Sequence, residues 1–203
     1  MSDVLTTNSA DGNLISYGIS GEGQTTLVFI HGWTCNHTFW QHQLESFSDR
    51  YKIVWLDLAG HGLSASDREN YSIKSFAEDV IAVVNTIQDK NIVLVGHSLG
   101  GAIAIEAAKV LDDKLLDIIA VDTFYTPFPY PESEQGIKEL MQPFEDNYAD
   151  TLNNLVRSLF NSEVDPELVN SILTQMSAVD KQISISTLTS VLYWHSDNMP
   201  ASL

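Results

Sequence analysis

Ile92-Val-Leu-Val-Gly96-His97-Ser98-Leu99-Gly100-Gly101 decides how the chain folds and what it does. Four apolar residues, Ile92–Val95, have the character of a strand covered on both faces. The Ala-rich run Leu99–Leu111 has no helix breaker after its opening glycines and predicts a helix. Between them stands G-x-S-x-G, the pattern that fits a sharp strand–turn–helix junction. The glycines are needed for steric reasons, because side chains at Gly96 and Gly100 would collide with the adjoining backbone. Such a turn lifts the Ser98 hydroxyl clear of the sheet, and the free N–H groups of the helix start face a developing oxyanion.

Working outward, Leu27-Val-Phe-Ile30, Ile53-Val-Trp-Leu56 and Ile118-Ile-Ala-Val121 repeat the apolar run. Val4–Thr7 and Leu14–Ile19 flank the turn signal Asp11-Gly12-Asn13 and read as a two-strand start. Ser72–Gln88 carries the stripe Ile73, Phe76, Ala77, Val80, Val83, Val84 and Ile87 of an amphipathic helix. Buried runs alternating with helices predict an α/β fold, a mostly parallel sheet with helices on both faces. From Thr126-Pro-Phe-Pro-Tyr-Pro131 onward the strands stop. Helical stripes follow at Ile137, Leu140, Met141 and Phe144, then at Leu152, Leu155, Val156 and Leu159. A third is Leu168, Val169, Ile172, Leu173 and Met176, opened by Asp165-Pro166, and a fourth helix spans Asp180–Trp194. Residues 126–195 therefore read as a helical lid over a core of residues 1–125, with 196–203 returning toward that core.

The chemistry gathers at strand ends. His31-Gly32-Trp33 closes the strand Leu27–Ile30, where a backbone N–H completes an oxyanion hole with that of Leu99. Asp57-Leu-Ala-Gly60-His61-Gly62-Leu-Ser64 follows Ile53–Leu56. Together, these three motifs resemble the α/β-hydrolase fold family, and within it the lid-bearing serine esterases. The resemblance runs from about residue 12 to 125 and is only architectural beyond. It implies Ser98 as nucleophile on a nucleophile elbow, with Trp33 and Leu99 as the oxyanion-hole amides. His31, Asp57 and His61 match positions that shape the loops, and Gly32, Gly96, His97 and Gly100 shape the two motifs. A serine at position 98 argues against haloalkane dehalogenases and epoxide hydrolases, which place an aspartate there.

The same resemblance puts an acid and then a histidine after later strands, yet the only histidine after Ser98 is His195. The expectation is that the C-terminal part of the sheet, with the usual acid and base, is missing. Asp122, just past Val121, is the remaining acid candidate, and His195 the remaining base candidate. A chain without a positioned base should be only weakly active as a serine hydrolase on ester-like carbonyls. The alternative is a non-catalytic ligand-binding or regulatory protein on the same scaffold. The strand Ile118–Val121 would then be a sheet edge and favour self-association.

Composition narrows the remaining classes. The 203 residues hold 10 Lys+Arg against 27 Asp+Glu, a formal charge of −17, and the isoelectric point is near 4.4. That balance opposes nucleic-acid and anionic-membrane partners, which need clustered cations. Cys35, the single cysteine, offers no internal disulfide, and His37 and His42 are five residues apart, off a common helical face. No cofactor and no metal are expected. No apolar run approaches the roughly 18 residues of a membrane span, and the start has no leader pattern, so a cytoplasmic location is expected. Phe124, Phe128, Tyr130, Met141, Phe144 and Trp194 are candidates to line an apolar pocket for a small to medium acyl or aromatic ester.

Overall fold

The computed structural model describes residues 3–123, 130–131 and 133–198. Its strands are β1 (Val4–Asn8), β2 (Leu14–Ser20), β3 (Thr26–Ile30), β4 (Lys52–Leu56), β5 (Ile92–His97) and β6 (Leu115–Val121). They form one sheet in the order β1-β2-β4-β3-β5-β6. The β1–β2 hairpin is antiparallel and joins β4 antiparallel, while β4, β3, β5 and β6 run parallel. The helices are α1 (Gln41–Phe47), α2 (Ile73–Thr86), α3 (Leu99–Leu111), α4 (Glu134–Asp146), α5 (Tyr148–Ser158), α6 (Pro166–Met176) and α7 (Lys181–Asn198).

The period-two alternation of strand side chains sorts the core into two layers. Val28, Ile30, Val54, Leu56, Ile92 and Leu94 point to one face, where α2 and α3 pack with Phe76, Val80, Val83, Ala102 and Ile103. Leu27, Phe29, Ile53 and Val95 point to the other, beneath Trp40 and the α1 residues Leu44 and Phe47. Helices on both faces are thus present, as expected. The α2 stripe is buried from Ile73 to Val84, and its start is fixed by a capping box between Ser72 and Ser75.

The run Ile118–Val121 lengthens to Leu115–Val121; its likeness to the covered strands needs correction, while the expected sheet edge is present. It forms an edge, with Leu116 57%, Ile119 48% and Val121 39% exposed. Likewise Leu159 and Leu168, read as stripe members, are 68% and 52% exposed. Leu159 is the C-cap residue just after α5, and Leu168 lies in the first turn of α6.

Of the four C-terminal helices, α4 packs on α5 and α7, α5 on α6, and α7 also meets α2 and α3. α7 is capped by Asp180, whose carboxylate accepts from the Gln182 and Ile183 amides. Its length crosses three parts of the core. The carbonyl of Ser184 accepts from the Trp33 indole at 2.8 Å, the Ser190 hydroxyl accepts from the Ile73 amide at 3.0 Å, and the Trp194 indole donates to Glu106 on α3 at 3.1 Å. The expected boundary near residue 126 lies outside the described residues. Among those described, no helix is long and apolar enough to cross a membrane.

Candidate active site

Strand order reverses at β3, whose neighbours are β4 and β5, and crevices at the carboxyl ends of such strands are where open α/β sheets bind ligands. Register places Ile30 opposite Gly96, so the loop after β3 and the turn after β5 start side by side.

Ser98 joins β5 to α3 at φ 51° and ψ −117°, a conformation that a side chain rarely adopts. The surroundings over-determine it. A Cβ at Gly96 would run into the Gly100 carbonyl, and one at Gly100 into the carbonyl of Ile30. The Ser98 amide donates to Val121 O at 2.9 Å, and its carbonyl accepts from Gly101 N at 2.9 Å and from the Thr123 hydroxyl at 3.0 Å. The side chain is left half-buried, not enclosed by hydrocarbon. Leu99 is the first residue of α3, so its amide has no partner within the helix. Neither that amide nor the Trp33 amide is hydrogen-bonded among the described residues.

The loop after β3 is held by neutral histidines. His31 donates from Nδ1 to Gly32 O at 2.9 Å and accepts from Leu58 N at Nε2, 3.0 Å. Burial lowers its pKa, more than nearby Asp57 restores it. His61, 1% exposed, donates from Nδ1 to Ala59 O, and burial pushes it down to about 3. Gly32 lies against the His97 ring, which turns toward Trp40 at a centroid distance of 6.2 Å. His97 therefore adjoins Ser98 in sequence while its ring packs toward the α1 face. Trp33 itself sits edge-on to Phe144 of α4 at 5.6 Å.

Asp57 is the organiser of the loop after β4. Fully buried, it accepts from His37 N at 2.7 Å, from His37 Nδ1 at 2.9 Å and from Leu63 N at 2.9 Å. Burial would raise its carboxyl, but the His37 hydrogen bond, with that from the Leu63 amide, holds it below the usual range. The His37 ring also stacks on Trp55 at 3.9 Å. Reading the sequence missed this dyad, because the pair is 20 residues apart and meets only through the β3–β4 pairing. Cys35 is buried, and desolvation pushes its thiol up to about 12, so it is an inert packing group.

Asp122 follows β6 at φ 49° and is exposed; its charge reaches both His97 and Tyr130. His195, near the end of α7, stacks on the Tyr130 ring at 3.8 Å with planes 9° apart. Tyr130 thus brings the neighbourhoods of Asp122 and His195 together. All six histidines of the chain are among the described residues, and none makes a described hydrogen bond to Ser98. Of the expected pocket residues, Met141 and Phe144 are buried in the core, and Tyr130 and Trp194 pack against it half-buried. Phe124 and Phe128 lie outside the described residues. No group of three or more metal-ligating side chains occurs among those described.

Comparison with known proteins agrees with this fold. A family model described as the alpha/beta hydrolase fold matches residues 25–168. An AB hydrolase superfamily protein of Bacillus subtilis, YisY, is 35% identical over 152 residues, covering 70% of this chain and 56% of the relative. A pimeloyl-acyl-carrier-protein methyl ester esterase of Wigglesworthia glossinidia brevipalpis is 32% identical over 145 residues, covering 70% and 53%. Among solved structures, an esterase of Exiguobacterium antarcticum superposes with a TM-score of 0.81 at 19% identity, covering 92% of this chain and 72% of the esterase. The chain spans about half the length of these curated relatives. With the motif at the β5–α3 turn, the strand order and more than half of the residues matched by the family model, the chain belongs to the α/β-hydrolase fold family.

Proposed function

We propose that this chain carries the nucleophilic centre of a serine hydrolase acting on ester-like carbonyls. The observation that carries the reading is Ser98 at positive φ on the turn between β5 and α3, next to the loop that holds the Trp33 amide. In this reading the Ser98 Oγ attacks the carbonyl carbon. The Trp33 and Leu99 N–H groups receive the charge that develops on the carbonyl oxygen. The alcohol leaves with a proton, and water then attacks the acyl-serine, releasing the acid and restoring the hydroxyl. The name of the similar methyl ester esterase supports an ester substrate. The helices α4–α7 act as the lid, and the aromatic residues beneath them favour a small to medium acyl group.

Asp122 and His195 are the acid and base candidates that this chain offers. His195 is committed to a stack on Tyr130, and no described histidine is bonded to Ser98. The chain itself is therefore expected to turn over weakly, since removing a triad base leaves only the oxyanion hole and binding, roughly 10³–10⁴-fold over water. The test is labelling by a fluorophosphonate or an activated aryl ester. We expect slow, stoichiometric modification at Ser98, none in Ser98→Ala, and little change in His195→Ala. Rapid turnover abolished by Ser98→Ala would show a base in place. No labelling at all, with saturable ligand binding retained, would favour the non-catalytic binding protein.

The partner reading extends to self-association. The exposed β6 edge carries Leu116, Ile119 and Val121 and no Lys or Pro within its length. We expect sedimentation to show concentration-dependent dimers, opposed by the charge of −17 at low salt. Ile119→Lys should leave the chain monomeric. A native chain that stays monomeric at high concentration and salt would contradict this.

A further inference from the structure

The Ser98 carbonyl and the Leu99 amide belong to one planar peptide, so whatever holds the oxygen also aims the N–H. Two donors reach that oxygen, Gly101 N at 2.9 Å and the Thr123 hydroxyl at 3.0 Å. A threonine hydroxyl has one proton to give, and the competing acceptor, Val121 O, is farther away at 3.4 Å. The β5–β6 ladder ends with His97 opposite Val121. One step beyond it, Ser98 N donates to Val121 O at 2.9 Å. The last residue of β6 and the second residue after it therefore grip both ends of the Ser98 backbone, with Asp122 bending the chain between them at φ 49°. The facing helix leaves room for this: a Cβ at Gly101 would collide with the Thr123 hydroxyl, methyl and Cβ. The two donors differ in kind. Gly101 belongs to the same helix as Leu99 and moves with it, whereas Thr123, 25 residues away, ties the peptide to the end of β6.

We infer that Thr123 is a positioning residue for the oxyanion hole: its hydroxyl fixes and polarises the Ser98–Leu99 peptide so that the Leu99 N–H faces the oxygen of the reacting carbonyl. This rests on the hydrolase reading for the purpose of that amide. Leu99 opens α3, and its N–H has no partner within the helix. A peptide whose oxygen is held from two directions cannot rotate its N–H away from the incoming oxygen without breaking a bond. Hydrogen bonds in series also polarise one another, so an amide whose carbonyl accepts twice is a stronger donor. The Ser98 backbone, at φ 51°, keeps its strained shape only while its neighbours enforce it. Thr123 touches no reacting atom in this scheme; it acts through the Ser98 carbonyl.

Two substitutions separate the hydroxyl from the packing. Thr123→Val keeps the shape against Gly101 and removes the proton; Thr123→Ser keeps the proton and removes the methyl. The full chain is mixed with p-nitrophenyl acetate, and acetylation of Ser98 is followed by nitrophenolate release and by the mass of the Ser98 peptide. In this step Ser98 Oγ bonds to the acetyl carbon, its proton passes to water, and nitrophenolate leaves with the electron pair of the broken ester bond. We expect Thr123→Val to slow acetylation about 10-fold, less than the 10²–10³ lost with a whole oxyanion donor because Gly101 N still holds the oxygen. The ester concentration at half-saturation should not change. Thr123→Ser, which retains the hydrogen bond, should stay within about twofold of the native rate. In chains isotope-labelled at serine carbonyls and leucine amides, the Ser98 carbonyl carbon and the Leu99 nitrogen should shift upfield in Thr123→Val and hold in Thr123→Ser. Acetylation of Thr123→Val at the native rate, equal slowing in both variants, or slowing with neither resonance moved would overturn the assignment; the last two would mark Thr123 as packing alone. If Thr123→Val does not fold, Thr123→Ala removes the same donor and is read by the same outcomes. A native chain never acetylated at Ser98 would overturn the hydrolase reading and this role with it, a result distinct from acetylation that is indifferent to Thr123.

Discussion

Asp79→Ala is expected to destabilise the chain by about 3–5 kcal/mol, because it leaves a buried guanidinium without its main counter-ion. The side chains of Arg68 and Asp79 are 2% and 0% exposed. Arg68 meets the carboxylate in a fork, Nη1 to Oδ2 at 3.1 Å and Nη2 to Oδ1 at 2.5 Å. Asp79 also accepts from the Ala59 amide at 3.2 Å. Among the described residues the other carboxylate paired with Arg68 is Asp11, in the β1–β2 turn and 36% exposed, which water screens. The pair thus ties the loop after β4 to α2 and, through Asp11, to the hairpin. Urea denaturation should show the midpoint falling by about 1.5–2 M. Arg68→Met/Asp79→Leu should recover most of the loss, since a buried pair replaced by apolar volume is often neutral. A loss below about 1 kcal/mol for Asp79→Ala would show that the guanidinium is rehydrated.

The second large effect is on acid stability. His61 titrates near 3 in the folded chain because burial disfavours its charged form, against about 6.5 when unfolded. Over that interval the unfolded chain binds the extra proton, so stability is fully present above pH 6.5 and declines as pH falls toward 3. The full span is worth roughly 4–5 kcal/mol from this one group. His31 is shifted in the same direction by the same cause and adds to the loss. Asp57, held low by His37, withdraws its own contribution only at lower pH, below the ordinary carboxylate range. Denaturation curves at pH 7, 5.5 and 4.5 should show a steady decline. His61→Asn, which can keep the donor to Ala59 O, should flatten the slope between pH 6 and 4. Stability independent of pH over that range would show that the buried rings accept protons without penalty.

The parts legible in the sequence were those fixed by local sterics. Gly96 and Gly100 announce the Ser98 turn because only backbone without a Cβ can pass there, and that constraint spans five residues. Leu27–Ile30 and Ile53–Leu56 reveal covered strands because both of their faces meet helices. The apolar character of Ile118–Val121 does not by itself separate an edge strand from a central one; the expected edge follows from the lack of a later strand signal in the sequence, and β6 is an edge. His37 reads as one more polar residue on a short helix until β3 and β4 pair and deliver it to Asp57. Arg68 and Asp79 were equally silent, since an ion pair 11 residues apart has no periodic signature. Ser184 and Thr187 look like poor helix formers in the sequence, and only burial distinguishes them.

The Trp33 indole hangs from a carbonyl in the first turn of α7, while its peptide belongs to the loop abutting the Ser98 turn. On the proposed reading of lid and oxyanion hole, roof and anion receptor are harnessed together by this strap. If the roof swings outward, it must either drag the receptor's peptide plane with it or release the indole to solvent. On that reading, admission of a guest and readiness of the receptor would be one mechanical event.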